Sequence, residues 1–445
     1  MNELKKYLEY ARTQGADEAE IFCASGREES VVVRRQELEK AGSAGDRGLA
    51  VRVICRQRAG FAYTSALAEE DIRRAVDMAV ANAAYAAKDK WLGLPDAASA
   101  RKALPHLRNY SPAAARMSLK QLADWARRAE NAAYKYDRRI CATEASTAFA
   151  AASETEIVNT RGIAARGRKT LCGVSLEIAA KTGDRMEAAY DFCYAAAPSR
   201  ISPEKIGRTA ATRAVRMLSA APVKTGRYDL LLTRSVARDF LSVLSELFSA
   251  ENVLRRKSLF RRKMGRQVAS AKVTLIDDPL LPARSGSFLY DGEGAPARRR
   301  VLIKNGRLKD YFYDVSAARK CGVPYAGNAA RASIFAEPSI GPSNLYFAPG
   351  RLSRADLAKS ADRGLLIENI MGLHTADPVS GDFSFGASGR LITGGRLAAP
   401  VKDMAIAGNL LELLLNIKSC GRDLEFSGHY GAPSILIGNM LVAGQ

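Results

Sequence analysis

The chain changes character at Pro222-Val223-Lys224-Thr225-Gly226. Before this point, long segments of alternating polar and apolar residues stand between amphipathic helical stretches. After it, short apolar segments are separated by closely spaced turn signals such as Asp291-Gly292-Glu293-Gly294, Lys304-Asn305-Gly306, Gly394-Gly395 and Gly438-Asn439. Strand periods in series, with helices set apart from them, predict an α+β class: two domains of largely antiparallel sheet with flanking helices. The length of 445 residues agrees, because a single domain usually holds roughly 100–200. The expected domains are 1–222, with a connector near 92–117, and a glycine-rich, mainly antiparallel β domain over 223–445.

Leu4, Tyr7, Leu8 and Ala11 recur at helical spacing and predict an opening helix that ends near Gly15. Ala19-Ile21-Cys23 and Val31-Val33 alternate and read as two paired strands, and residues 48–55 continue into 60–65 across a short basic turn. A helix is expected from Glu69 to about Ala87, broken by Leu92-Gly93-Leu94-Pro95. Ser118 and Gln121 have capping-box spacing and open a helix that runs to about Tyr136. Strands follow at roughly 140–159, 169–180 and 186–196, and Ser202-Pro203-Glu204 starts another helix. In the second half two helical stretches stand out, near 235–250 and 408–417.

Formal net charge is +20, with runs at Arg255-Arg256-Lys257, Arg261-Arg262-Lys263 and Arg298-Arg299-Arg300. No helix-turn-helix, RNP or zinc-finger pattern accompanies the charge, so it reads as solvated basic faces and nucleic acid is not the expected partner. The seven cysteines are scattered without C-x-x-C spacing, which fits reduced thiols. The charged start has no signal-peptide pattern, and no apolar run reaches the roughly 18 residues of a membrane span. A cytoplasmic protein without a membrane segment is expected. Serine-triad elbows and the phosphate-binding and dinucleotide-binding glycine patterns are absent.

Five segments of the second half, DGEGAPARRRVLIKNGRL (291–308), SAARKCGVPYAGNAAR (316–331), PSNLYFAPG (342–350), PVSGDFSFGASG (378–389) and AIAGNLLELLLNI (405–417), together with GLAVRVICRQRAGFAYTS (48–65), resemble the TldD/PmbA family, also described as proposed modulators of DNA gyrase. The resemblance implies a TldD/PmbA-like fold. It also implies that catalytic members of the TldD type hold zinc through an HExxxH helix and a later cysteine, with the glutamate taking a proton from metal-bound water.

This chain has three histidines, His106, His374 and His429, and no two lie on one helix. The helix expected to carry the motif, Val236–Ala250, has none. Counted back from Gly265 without gaps, the motif positions fall near Leu241, Ser242 and Glu246, whereas Leu241, Leu244 and Phe248 form an apolar stripe that belongs in a core. Cys420-Gly421-Arg422-Asp423 resembles the family's cysteine segment, which leaves Cys420, His429 and His374 as the remaining metal-ligand candidates. A thiol without histidine partners makes a poor site, and the preferred reading of Cys420 is structural.

The resemblance therefore points to the TldE/PmbA branch. Such a chain is a non-catalytic scaffold without a cofactor of its own, expected to pair with a TldD-like subunit that carries zinc and to enclose small or unfolded peptides. A homodimer is an alternative assembly. Small residues beside polar ones at Gly327-Asn328 and 386–389 suggest close backbone approach, making Gly327, Asn328, Asp382 and Ser388 candidate substrate or subunit contacts beside their plain reading as bends. Asp291, Glu293 and Asp382 read as loop carboxylates engaged in turns or solvation. Two other functions compete: a nucleic-acid-associated or gyrase-related regulator using the basic surface, and an autonomous hydrolase with an atypical metal site built on Cys420.

Overall fold

Six long antiparallel strands organise the first half: β1 (Glu18–Arg34), β2 (Glu37–Cys55), β3 (Arg58–Thr64), β4 (Ile140–Asn159), β5 (Ala164–Thr182) and β6 (Arg185–Ala195), in the order β3-β2-β1-β4-β5-β6. The computed structural model describes residues 2–97, 105–324, 327–361 and 363–444; part of the expected connector, 98–104, and Tyr325-Ala326 of the segment 316–331 lie outside the described residues.

One face of the sheet carries all the helices. Asn2–Thr13 and Glu69–Ala83 close over Ile21, Val51 and Val53, and Leu119–Tyr136 and Pro203–Met217 close over Val31, Val174, Leu176 and Ile178. The buried helix positions are mostly alanine, which brings helix and strand backbones close. At Gly60 of β3 an added Cβ would lie 1.9 Å from the Ala79 carbonyl oxygen of the covering helix, and at Gly207 it would lie 2.0 Å from the Ala129 carbonyl oxygen of the neighbouring helix.

The two strands expected at Ala19-Ile21-Cys23 and Val31-Val33 are a single strand, β1. Its hairpin with β2 turns at Arg35-Gln36, both left-handed (φ 53° and 65°), without the Asn-Gly sequence that usually marks such a turn. The compensation comes from Glu130 on the helix Leu119–Tyr136. Its fully buried carboxylate accepts from Arg35 N (2.7 Å), Gln36 N (2.6 Å) and Gln36 Nε2 (2.6 Å). The basic turn between β2 and β3, Arg56-Gln57 (φ 50° and 65°), is held in the same manner by Asp17, which accepts from Arg56 N at 2.6 Å.

The second half holds a seven-stranded sheet around Gly226–Leu232, Arg363–Met371, Asp382–Thr393, Arg396–Asn409 and Ile435–Ala443, and a six-stranded sheet around Leu275–Asp277, Arg300–Lys304 and Leu345–Phe347. The helix Arg234–Ser245 packs against both, with Phe240 in edge-on contact with Phe383 and Phe385. The class is α+β with antiparallel-rich sheets. Short helices at Ala250–Leu254, Val315–Cys321 and Arg354–Lys359 add to the two expected, and the stretch near 408–417 is helical only over Leu410–Leu415. Their caps explain them: Asp314 accepts from Ala317 N, and Ser353 with Asp356 forms a capping box. Asp291-Gly292 is not a left-handed turn; the positive φ belongs to Gly294 (82°). Gly438-Asn439 lies inside the strand Ile435–Ala443, at an irregularity between Ile437 and Met440.

A buried ion cluster ties the halves together. Arg52 on β2 bridges Glu20 on β1 (2.9 Å) and Glu293 (2.7 Å), and Arg331 pairs with the other oxygen of Glu20 while lying over the Phe22 ring. Glu293 also accepts from Val315 N at 3.0 Å, and Arg331 donates to Gly292 O at 2.7 Å. Two carboxylates and two guanidinium groups balance, yet the side chains of Glu20, Glu293 and Arg331 are at most 4% exposed. Arg52→Met leaves Glu20 and Glu293 buried with one fewer cation, and should lower unfolding stability by about 3–5 kcal/mol in urea titrations.

Candidate functional site

β6 is the outer strand of the first sheet, and its residues alternate between two environments. Ala189 and Cys193 pack under the helix Pro203–Met217. The intervening residues Tyr190, Phe192 and Tyr194 form a row on the helix-free face, with ring centroids 6.3 Å and 5.1 Å apart, and Phe149 of β4 meets Tyr194 edge-on at 5.4 Å. Gly173 of β5 makes this possible, because a Cβ there would lie 2.2 Å from Tyr194 Cδ1. Ser175 and Thr147 continue the floor with small side chains. Tyr190 remains 49% exposed and Tyr194 38%, so the row keeps apolar surface in water.

The second half contributes the helix Arg234–Ser245. Asp239 on this helix acts electrostatically on the Tyr190 hydroxyl. Burial raises Asp239 to about 6 against the opposing pull of Arg238. Beside it, Glu425 is held by Arg234 (2.7 Å) and Arg238 (3.0 Å). Asp191 of β6, raised by burial, pairs with Arg213 at 3.1 Å. Ser245 Oγ and Tyr430 Oη lie 3.2 Å apart. The helix thus sets Asp239 and the ion pairs of Arg234 and Arg238 with Glu425 near the aromatic row, while Asp191 and Arg213 pair on the other, helix-covered face of β6. That combination can hold an extended chain by its apolar side chains and its charged ends.

The four expected contact residues do not converge here. Gly327 (φ 78°) faces the Pro296 carbonyl, 2.8 Å from where a Cβ would stand. Asn328 is 2% exposed and donates from Nδ2 to Asp277 at 3.1 Å, so it offers no surface to a peptide or subunit. Both belong to a buried polar layer. In it, burial lifts Asp277 to about 6 despite a bond from Ser343 N (2.8 Å), and Asp291 accepts from the amides of Glu293, Ala295 and Ala329. Asp291 and Glu293 are therefore neither solvated nor simple turn residues. Asp382 is the first residue of a strand instead of a loop residue; it is exposed and accepts from Asn409 Nδ2 at 2.9 Å, which holds its carboxyl below the usual range. Ser388 lies within the same strand opposite Asn369.

His106 lies on an exposed loop, His374 in the turn Leu373–Thr375, and His429 places Nδ1 2.9 Å from the Ser343 carbonyl oxygen. Cys420 ends the strand Ile417–Cys420, and burial pushes its thiol up to about 12, far from the thiolate that binds metal. On the helix Arg234–Ser245, Leu241 is fully buried and Ser242 bonds back to Asp239 O (2.7 Å), while Glu246 follows the helix on an exposed turn. Among the described residues no group of three or more His, Cys, Asp or Glu side chains is placed to hold a metal ion. These residues do not fit zinc. The aromatic row and Asp239 escaped sequence reasoning, although Tyr190, Phe192 and Tyr194 carry a period-two signal.

Residues 19–83, 112–218 and 225–444 match, in turn, the PmbA/TldA metallopeptidase domain 1, central domain and C-terminal domain. The chain is 28% identical over 431 residues to the metalloprotease PmbA of Escherichia coli O157:H7, covering 97% of this chain and 93% of that one. It is 31% identical over 310 residues to a metalloprotease of Methanothermobacter thermautotrophicus, covering 66% and 68%. Among solved structures, a Thermotoga maritima protein described as a proposed modulator of a DNA gyrase superposes with a TM-score of 0.91 at 27% identity, over 99% of this chain and all of that one. TldE of Thermococcus kodakarensis shares the fold, with a TM-score of 0.89 at 22% identity over 99% of this chain and all of that one.

Native protein treated with iodoacetamide at neutral pH should be alkylated at the exposed Cys141 and Cys321 and not at Cys420, which peptide mass spectrometry reads directly. Asp239 provides a second check. Its folded value near 6 exceeds the ordinary 3.8, so the folded chain keeps a proton that the unfolded chain has released, and stability falls as pH rises from about 4 to 6. Asp239→Asn should remove that loss and stabilise the chain at pH 7 by about 1–2 kcal/mol, discounted for partial exposure, in urea titrations at several pH values.

Proposed function

The chain belongs to the PmbA/TldA metallopeptidase family, and from that premise we propose that it is the TldE/PmbA-like, non-catalytic subunit of a TldD/TldE-type peptidase. A TldD-like partner supplies the zinc and the water it activates. This chain supplies scaffold and substrate contact: Tyr190, Phe192 and Tyr194 take apolar side chains of a small or unfolded peptide, and the charges around Asp239, Arg238 and Glu425 orient its ends. One observation carries the reading. The helix Arg234–Ser245, where the catalytic branch carries HExxxH, commits Leu241 to the core, while matches to all three family domains remain. A place in the cytoplasm follows from the same reading.

A second reading, contact with nucleic acid, draws support from the seven Lys and Arg residues between Arg255 and Arg266. Affinity for duplex DNA falling steeply with salt, beyond that of an unrelated protein of equal charge, would favour it.

The purified chain with added zinc should leave unstructured peptides intact, and mixing it with a TldD-like subunit should produce cleavage that chromatography of the products detects. Zinc-dependent cleavage by the chain alone would overturn the proposal. In the mixed enzyme, Tyr190→Ala with Phe192→Ala should raise KM for peptides several-fold while leaving kcat nearly unchanged, as expected for loss of uniform substrate binding.

A further inference from the structure

Side chains alternate along β5, and its pairing with β4 is regular over residues 164–177, so Lys169, Leu171, Gly173, Ser175 and Glu177 all lie on the helix-free face that carries the aromatic row. Gly173 lies under Tyr194, and Glu177 pairs across with Tyr190. A cation and an anion therefore stand at opposite ends of one strip whose middle is small or apolar. At roughly 3.3 Å per residue, Lys169 is about 13 Å from Gly173, the reach of about four residues of an extended chain.

The basic end of the strip is concave. Lys169 and His429 are both exposed, yet the protein around them is dense enough to lower the Lys169 ammonium and the His429 imidazole below their ordinary ranges, and Lys169 acts on His429 between the two halves. Side chains that reach water while crowded by protein line a hollow. Beyond His429, Ser285 Oγ donates to Gly428 O at 2.7 Å, and Arg284 lies 4.3 Å over the Phe426 ring, with Arg200 acting on it. Burial lowers Arg284 as well, and no carboxylate acts on either Lys169 or Arg284 to offset it. Among the described residues Lys169, Arg200 and Arg284 have no ion-pair partner. A crowded cation without a counter-ion is costly, and an arriving anion removes the cost.

We propose that Lys169 receives a carboxylate at the end of an extended peptide whose apolar side chains rest on Tyr194 and its neighbours, so that this face takes peptides in one direction. The proposal rests on the substrate-contact reading of the chain and adds a chemical requirement to it. Arg284 and Arg200 extend the positive field beyond Lys169, while Glu177 and Asp239 at the other end repel a carboxylate. Arg234 and Arg238 near that end are already held by Glu425. The carboxylate can come from the peptide's C-terminus or from an acidic side chain beside it.

Isothermal titration calorimetry on the full-length chain alone tests it, with synthetic octapeptides of one alanine- and leucine-containing sequence: the free acid, its C-terminal amide, and an amide ending in glutamate. The free acid should bind about tenfold more tightly than the plain amide. Recovery of that affinity by the glutamate amide supports the site and shows that a side chain can supply the carboxylate; no recovery supports it with the terminus as the source. Lys169→Ala should weaken the free acid about tenfold and leave the plain amide unchanged, and Lys169→Arg should keep the preference; Lys169 is exposed, so folding is not at stake. Equal binding of acid and amide by the wild type, an equal loss for both in Lys169→Ala, or no binding of any peptide would overturn the proposal. So would inorganic phosphate binding at Lys169 as tightly as the free acid, which makes the hollow a site for a small anion. The subunit reading stands on cleavage in the mixed enzyme and this one on binding to the chain alone, so the two can fail independently.

Discussion

The Glu20–Arg52–Glu293–Arg331 cluster is what makes one molecule of two layered halves. Each partner alone would be an intolerable burial of charge, and the four together satisfy every carboxylate with a guanidinium. The geometry follows from this demand. Glu20 and Arg52 project from adjacent strands of the first sheet and pair with each other, and Glu293 and Arg331 come from loops of the second half, so those two find their partners only when the loops seat on the sheet. Glu293 then passes the constraint on through Val315 N to the start of a helix, and Asp291 passes it to Ala329. The glycines of this region serve close packing of loops that carry buried carboxylates.

The approach of the helix Arg234–Ser245 to the aromatic row is a product of the same seating. Orienting the second half against the first brings the helix Arg234–Ser245 opposite the outer strand β6. Arg216 with Glu368 (2.7 Å) and Lys402 with Glu187 fasten the nearby margin. The helix is a core element first: its apolar side faces Phe383 and Phe385, and its polar side carries Arg234 and Arg238 to Glu425 and Asp239 toward Tyr190. Phe240, Leu241 and Leu244 secure this helix in the core independently of any ligand.

Much of the fold was legible in the sequence where period and cap agreed. The strands β4 to β6 and the capping box at Ser118 with Gln121 stand close to where their patterns put them, and the Asn305-Gly306 and Gly394-Gly395 turns take their left-handed form. Legibility ended where a distant residue does the stabilising. Nothing local marks Arg35-Gln36 as a hairpin turn, so β1 read as two strands. Asn328, Asp291 and Glu293 were placed at surfaces because polar residues among glycines usually are loops, and their burial depends on partners across the molecule. For the site, local sequence revealed what the motif helix lacks. The wall opposite came only from sheet pairing that sets β6 at the edge.

Glu130 has a consequence for the order of events in folding. The turn at Arg35-Gln36 waits for a carboxylate about ninety-five positions further along the chain, and β1 finds its second neighbour, β4, only after residue 140. The first hairpin therefore has its own local pairing with β2 but gains the support of its turn and its second neighbour only from distant residues. Those non-local contacts raise the contact order of the first sheet, and such pairing slows folding.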